Sequence, residues 1–128
     1  PSAERRAETD QQGRAFAATV SQVWGVEIPP APYPVAVGLT VRALDLPLAE
    51  ALRLFLQAVV SNLAGAGVRL VPLGQTDGQR VVQALAPLCA AQAEAALTAG
   101  LDDIGGFAPL LDIASQRHDM LYSRLFRS

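Results

Sequence analysis

The sequence has no lysine, one cysteine, one histidine and few aromatic residues. All ten basic residues are arginine, and twelve acidic residues outnumber them, so the net charge is −2. Nucleic-acid binding depends on many phosphate contacts from a basic surface, which this charge does not favour. The single cysteine, Cys89, cannot form an internal disulfide, and this agrees with a reducing, cytoplasmic location.

The presence of only one cysteine and one histidine also argues against an enzyme. Nucleophilic catalysis requires a nucleophile beside a base. Cys89 and His118 fall on different predicted helices, and Cys89 lies on an apolar stripe, as a buried structural thiol does. Asp102 and Asp103 precede two glycines in a predicted loop, where aspartate normally caps helices or forms Asx turns. We therefore predict no catalytic residue.

No cofactor is predicted either. His118 is a weak candidate for a metal ligand, because no histidine or cysteine lies one helical turn away from it. Two copies of His118 could still converge across a symmetric dimer. No apolar run reaches the roughly 20 residues that span a bilayer, and no signal peptide is visible, so we expect no membrane partner. The chain begins at Pro1 rather than methionine, as a processed, truncated or expressed fragment would.

Alanine and leucine are abundant, and 51% of the 128 residues are hydrophobic, which favours one folded helical domain over residues 1–128. Helical periodicity and proline positions predict five helices, over residues 2–24, 34–44, 47–71, 75–99 and 107–119. The third has the strongest apolar repeat, so we expect it to be central and buried on most sides. We expect Pro87 to kink or break the fourth. No segment alternates with a period of two, and the fold class is therefore an all-α bundle of about five helices.

Two segments remain after these elements are assigned. Residues 116–128 (QRHDMLYSRLFRS) interleave apolar side chains with arginines at a chain terminus. Met, aromatic residues and Arg are enriched at protein interfaces, so this segment is either a partner-docking tail or a last turn packed on the chain's own core. The second segment, residues 70–80, is a polar, glycine-containing junction between two apolar helices, and its alternative interpretation is a simple turn.

These segments resemble the urease accessory protein UreF family. The runs GVRLVPLGQ (67–75) and GQR (78–80) are similar to that family's central signature, and ASQRHDMLYSRLFRS (114–128) is similar to its C-terminus. IGGFAPL (104–110) and the stretch from Glu4 to Ala15 also fit. The family extends further at its N-terminus, so we expect this chain to be a C-terminal part. It departs from many members by Arg69 in place of lysine, and by Asp119 and Met120 in place of Glu and Thr.

The resemblance implies a non-catalytic, homodimeric scaffold. UreF-like proteins bridge the accessory protein UreD, called UreH in some organisms, to the GTPase UreG, and the complex delivers nickel to apo-urease. The alternative is a helical dimerisation fragment with a minor direct nickel-binding role.

The resemblance also implies which residues meet partners. In the family the C-terminal segment orders against UreD/UreH, which corresponds here to residues 116–128. Its candidate partner-binding residues are Arg117, His118, Tyr122, Ser123, Arg124, Leu125, Phe126 and Arg127. Arg69, Gln75 and Arg80 are weaker candidates for the surface that meets the GTPase or a second copy of the chain.

Overall fold

The described part of the chain is entirely helical. A computed structural model describes residues 3–106 and 108–121. Its helices are α1 (Ala3–Trp24), α2 (Tyr33–Ala43), α3 (Leu48–Leu70), α4 (Gln75–Thr98) and α5 (Pro109–Asp119), with one 3₁₀ turn at Leu101–Asp103. No strand occurs within these residues. The predicted all-α fold with five helices is confirmed.

Proline and glycine set most of the helix boundaries. Pro34 lies in the first turn of α2, where its missing N–H needs no partner. Pro47 directly precedes α3. Gly25, which follows α1, has a φ of +67°, a conformation that glycine adopts without steric cost. The Asp103 carboxylate accepts a 2.8 Å hydrogen bond from the Gly100 N–H, so this aspartate has the capping role expected of it.

The helices form two compact units. The first contains residues 1–46 and 105–128, with α1, α2 and α5, and the second contains residues 47–104, with α3 and α4. The predicted single domain over residues 1–128 stays a prediction.

The core of the first unit lies between α1 and the start of α2. Its buried residues are Ala17, Val20, Ile28 and Ala36, and Phe16, Val26, Ala31 and Leu39 pack against them. The connection between α1 and α2 turns back along α1, so that the Tyr33 ring meets Phe16 edge-on at 5.5 Å between centroids. Because the connection covers the middle of α1, Val23 in its last turn is exposed.

Gly13 is the closest contact point between α1 and this connection. A Cβ atom added there would lie 1.9 Å from the carbonyl oxygen of Ala31 and 2.6 Å from the backbone nitrogen of Tyr33. Both atoms belong to the backbone, which cannot rotate away as a side chain can. The position therefore requires glycine for close approach rather than for an unusual φ.

In the second unit, α3 packs along α4. Gly78 lies so close to α3 that a Cβ atom there would meet Val68 Cγ2 at 2.7 Å. Cys89 and Ala93 of α4 are buried, which confirms Cys89 as an interior thiol. Arg53 and Glu94 form an exposed ion pair between the two helices. We expected a kink or a break at Pro87; the α4 helix continues through this residue, so the break is wrong and the kink stays a prediction.

The predicted burial of α3 on most sides is also wrong. No residue of α3 is buried, because α4 covers only part of its apolar circumference. The apolar repeat was strong enough to predict the helix, but periodicity cannot say whether a partner covers each apolar side.

Both long helices meet the length and composition of a membrane span. In the described part, α3 has 23 residues and contains an 18-residue stretch with a mean hydropathy of 1.4, and α4 has 24 residues and contains an 18-residue stretch with a mean hydropathy of 1.2. The expectation that no segment is long and apolar enough is therefore wrong on these two criteria. One or two such helices are weak evidence of a membrane protein, because core helices of soluble proteins meet the same criteria.

Candidate functional site

The α3–α4 pair carries an apolar cavity open to solvent. The cavity, of about 280 Å³, is lined by Val60, Leu63, Ala64, Gly67, Leu73, Gly78, Val81 and Leu85. We call it the α3–α4 cavity. Leu63, Leu73 and Val81 are themselves exposed. Exposed apolar surface of this kind normally marks a place where another molecule binds.

The three weaker candidates lie close in sequence to residues that line this cavity, although none of them lines it. Arg69 lies in the last turn of α3, Gln75 begins α4, and Arg80 stands between two cavity residues. All three are exposed. The Arg80 guanidinium donates to Asp77 Oδ1 at 2.8 Å. An apolar centre with charged residues beside it is the usual anatomy of a protein interface.

At the other candidate segment, the structure places Arg117 and His118 in the last turn of α5. Arg117 is exposed. His118 Nδ1 lies 2.9 Å from Glu4 Oε2 in α1, with side-chain exposures of 31% and 16%. Arg117 is therefore accessible to a partner, whereas His118 is engaged within the chain.

A second polar pair joins the same two helices. Arg5 Nη1 lies 3.0 Å from Asp112 Oδ1. The two pairs border a cavity of about 360 Å³, lined by Glu4, Arg5, Glu8, Leu111, Ala114, Ser115 and His118. Sequence reasoning missed Glu4, Arg5 and Asp112. The partners lie 114 and 107 positions apart, and helical periodicity carries no information about contacts at that separation.

The remaining tail candidates, Tyr122, Ser123, Arg124, Leu125, Phe126 and Arg127, lie outside the described residues. Their roles stay predictions. Ser2 and Phe107 also lie outside.

A metal site is not assembled in the described residues. They contain no group of three or more His, Cys, Asp or Glu side chains placed to hold a metal ion. Glu4 and His118 bring two such groups together, but two ligands alone bind a divalent cation weakly.

We expect Ni²⁺ titration to give little heat, and the same heat with the parent chain and with His118→Ala. The physical reason is that loss of one of two ligands changes little when no third ligand supports them. Isothermal titration calorimetry at neutral pH measures this. A stoichiometric heat in the parent that disappears in His118→Ala would mean that this chain contacts nickel directly.

Comparison with known proteins identifies the family. The UreF family model matches residues 1–86. A urease accessory protein UreF from Rhodopseudomonas palustris strain BisA53 is 50% identical over 137 residues, covering 100% of this chain and 58% of the relative. UreF from Cereibacter sphaeroides strain KD131 is 48% identical over 128 residues, covering 100% of this chain and 61% of the relative. UreF from Ruegeria pomeroyi is 45% identical over 127 residues, covering 99% of this chain and 58% of the relative.

This chain spans about three fifths of the length of these relatives. The similarity runs from end to end of the chain, and it includes both the central junction and the C-terminal segment singled out above. The chain belongs to the UreF family of urease accessory proteins.

Proposed function

We propose that this chain acts as a non-catalytic scaffold in urease maturation. It bridges a UreD/UreH accessory protein and the GTPase UreG, so that the assembled complex delivers nickel to apo-urease in the cytoplasm. The observation that carries the proposal is the membership of the UreF family, whose members are named as urease accessory proteins. A scaffold requires exposed docking surfaces, and we assign two candidate surfaces, the α3–α4 cavity and the C-terminal segment.

The α3–α4 cavity is the proposed surface for a second copy of the chain. Its lining is almost wholly aliphatic, and homodimer interfaces are more apolar than transient ones. Leu63 is 67% exposed, so burial against a second copy would remove much apolar area from water. Arg69, Gln75 and Arg80 then lie at the edge of the interface, where the GTPase can reach them.

The C-terminal segment is the proposed surface for UreD/UreH. Arg117 begins it in an exposed position, and Met120 and Leu121 continue it as exposed apolar residues. Tyr122, Leu125 and Phe126 supply aromatic and aliphatic side chains of the type found at interface hot spots. If the residues after α5 order on docking, they gain specificity at some cost in affinity.

We expect a chain that ends at Leu121 to lose UreD/UreH binding while keeping its helices. The deletion removes residues 122–128 but leaves α5, which ends at Asp119, and the His118–Glu4 pair. Size-exclusion chromatography with light scattering, with UreD/UreH added to each version, tests this. Tyr122→Ala and Phe126→Ala in the full chain should each weaken binding by about 2 kcal/mol.

The matched control is Val35→Ala, which shortens an exposed apolar residue of α2 far from the tail in sequence and should leave binding unchanged. If the chain that ends at Leu121 still co-eluted with UreD/UreH, the interface would lie on the helices rather than on residues 122–128. If neither the full chain nor the shortened chain formed a complex with UreD/UreH, the scaffold proposal would fail. The chain would then be a helical dimerisation fragment.

A further inference from the structure

The α5 helix is attached to α1 mainly through polar pairs. Three large apolar side chains of α5 are exposed, Leu110 at 82%, Leu111 at 54% and Ile113 at 46%. Apolar burial normally attaches an amphipathic helix to its unit. Here the Arg5–Asp112 and Glu4–His118 pairs join the two helices instead. We call these two pairs the α1–α5 clamp.

The clamp holds α5 at two points. Asp112 and His118 are six residues apart, which corresponds to about 9 Å along a helix axis. Two attachments at that separation fix both the direction of a helix and its rotation about its own axis. The rotation that the clamp selects leaves Leu110 and Ile113 exposed.

We propose that Glu4 and Arg5 are positioning residues for partner docking, because the clamp presents the exposed apolar side of α5 and sets the point where the C-terminal segment leaves the unit. The docking surface then begins at Leu110 rather than at residue 116. Its occupant is the UreD/UreH partner, because the exposed α5 residues are continuous along the chain with Met120 and Leu121. This inference rests on the proposed function of the C-terminal segment.

The energetics fit a positioning role better than a stabilising one. The Arg5 and Asp112 side chains are 43% and 44% exposed, and ion pairs at such positions contribute little to folding stability. An orientation fixed before binding nevertheless strengthens binding, because the partner does not have to order the helix. The clamp should therefore affect affinity for the partner much more than the melting temperature.

A charge exchange tests this. Arg5→Asp alone places like charges at Asp112, and Asp112→Arg alone places like charges at Arg5. The double variant Arg5→Asp/Asp112→Arg restores an opposite pair in reversed order. We expect each single variant, in which a like-charge pair replaces an attractive one, to bind UreD/UreH several-fold more weakly than the parent, and the double variant to recover the parent's affinity. Calorimetry with the full 128-residue chain measures the affinities, and circular dichroism checks that all variants keep the parent's helicity.

Arg6→Asp is the matched control, because Arg6 is the exposed neighbour of Arg5 and its substitution changes the net charge by the same amount as Arg5→Asp. It should bind like the parent. Single variants that bind like the parent, or a double variant that stays as weak as the singles, would overturn the clamp and leave tail docking intact. A parent chain that does not bind UreD/UreH at all would overturn the docking function itself, and the clamp's role with it.

Discussion

Replacement of Gly13 by alanine should lower the free energy of unfolding by about 3 kcal/mol or more, and the melting temperature by roughly 10 °C. A Cβ atom at this position would lie 1.9 Å from the Ala31 carbonyl oxygen and 2.8 Å from the Pro32 carbonyl carbon. Non-bonded heavy atoms do not approach so closely, so either α1 or the connection must move. The connection is rich in proline, which restricts its backbone and makes such a movement costly.

Gly38→Ala is the control for this experiment. Gly38 also lies inside a helix of the first unit, but a Cβ atom there meets nothing within 4 Å. Alanine at an exposed helical position should be neutral or stabilising, by about 0.5–1 kcal/mol. Thermal unfolding followed by circular dichroism compares the two. If Gly13→Ala melted with the parent, the connection could not cross α1 at this residue.

The consequence of that substitution reaches beyond α1. Because position 13 is glycine, Ala31 of the connection can lie close to α1. Ala31 also packs against the buried cluster of Ala17, Val20, Ile28 and Ala36. A shift of the connection would open this small core, whose members are mostly short side chains. The first unit also contains α5, so we expect Gly13→Ala to weaken UreD/UreH binding as well.

Helix positions were largely predictable from the sequence, because they depend on local signals. Pro34 and Pro47 marked the starts of α2 and α3 within a residue, since proline fixes φ and lacks an N–H. The break expected at Pro87 does not occur, for a related reason. Proline disfavours the interior of a helix without forbidding it, and the rest of α4 consists largely of strong helix formers.

Packing was less predictable, because it depends on residues distant in the chain. The apolar repeat of α3 suggested a central helix, whereas Leu54, Leu63 and Leu70 are exposed. No sequence pattern indicated the α1–α5 clamp. An acidic residue such as Glu4 is common in the first turn of any helix, and nothing in the sequence marks His118 as its partner. Arg69, Gln75 and Arg80 were identified through family resemblance, and the structure adds that they are exposed and close in sequence to residues that line an apolar cavity.

A charge placed in the α3–α4 cavity should separate the dimer that we propose. Leu63→Asp introduces a carboxylate into an aliphatic surface, and burial of that charge against a second copy has no compensating partner among the cavity residues. We expect the dimer dissociation constant to rise by at least about 100-fold. The fold of the single chain should be kept, because Leu63 is 67% exposed within it. Sedimentation equilibrium over a range of concentrations measures the constant.

Val23→Asp is the control that separates an effect of a charge in the α3–α4 cavity from an effect of added negative charge anywhere on the surface. Val23 is 63% exposed, nearly the same as Leu63, but it belongs to α1 in the other unit, so this variant should remain dimeric. If both variants dissociated, added negative charge alone would explain the result. If neither did, the second copy would bind elsewhere and the α3–α4 cavity would be available to a different partner. A parent chain that is monomeric at all concentrations would contradict the homodimer, and with it the placement of Arg69 and Arg80 at the edge of a dimer interface.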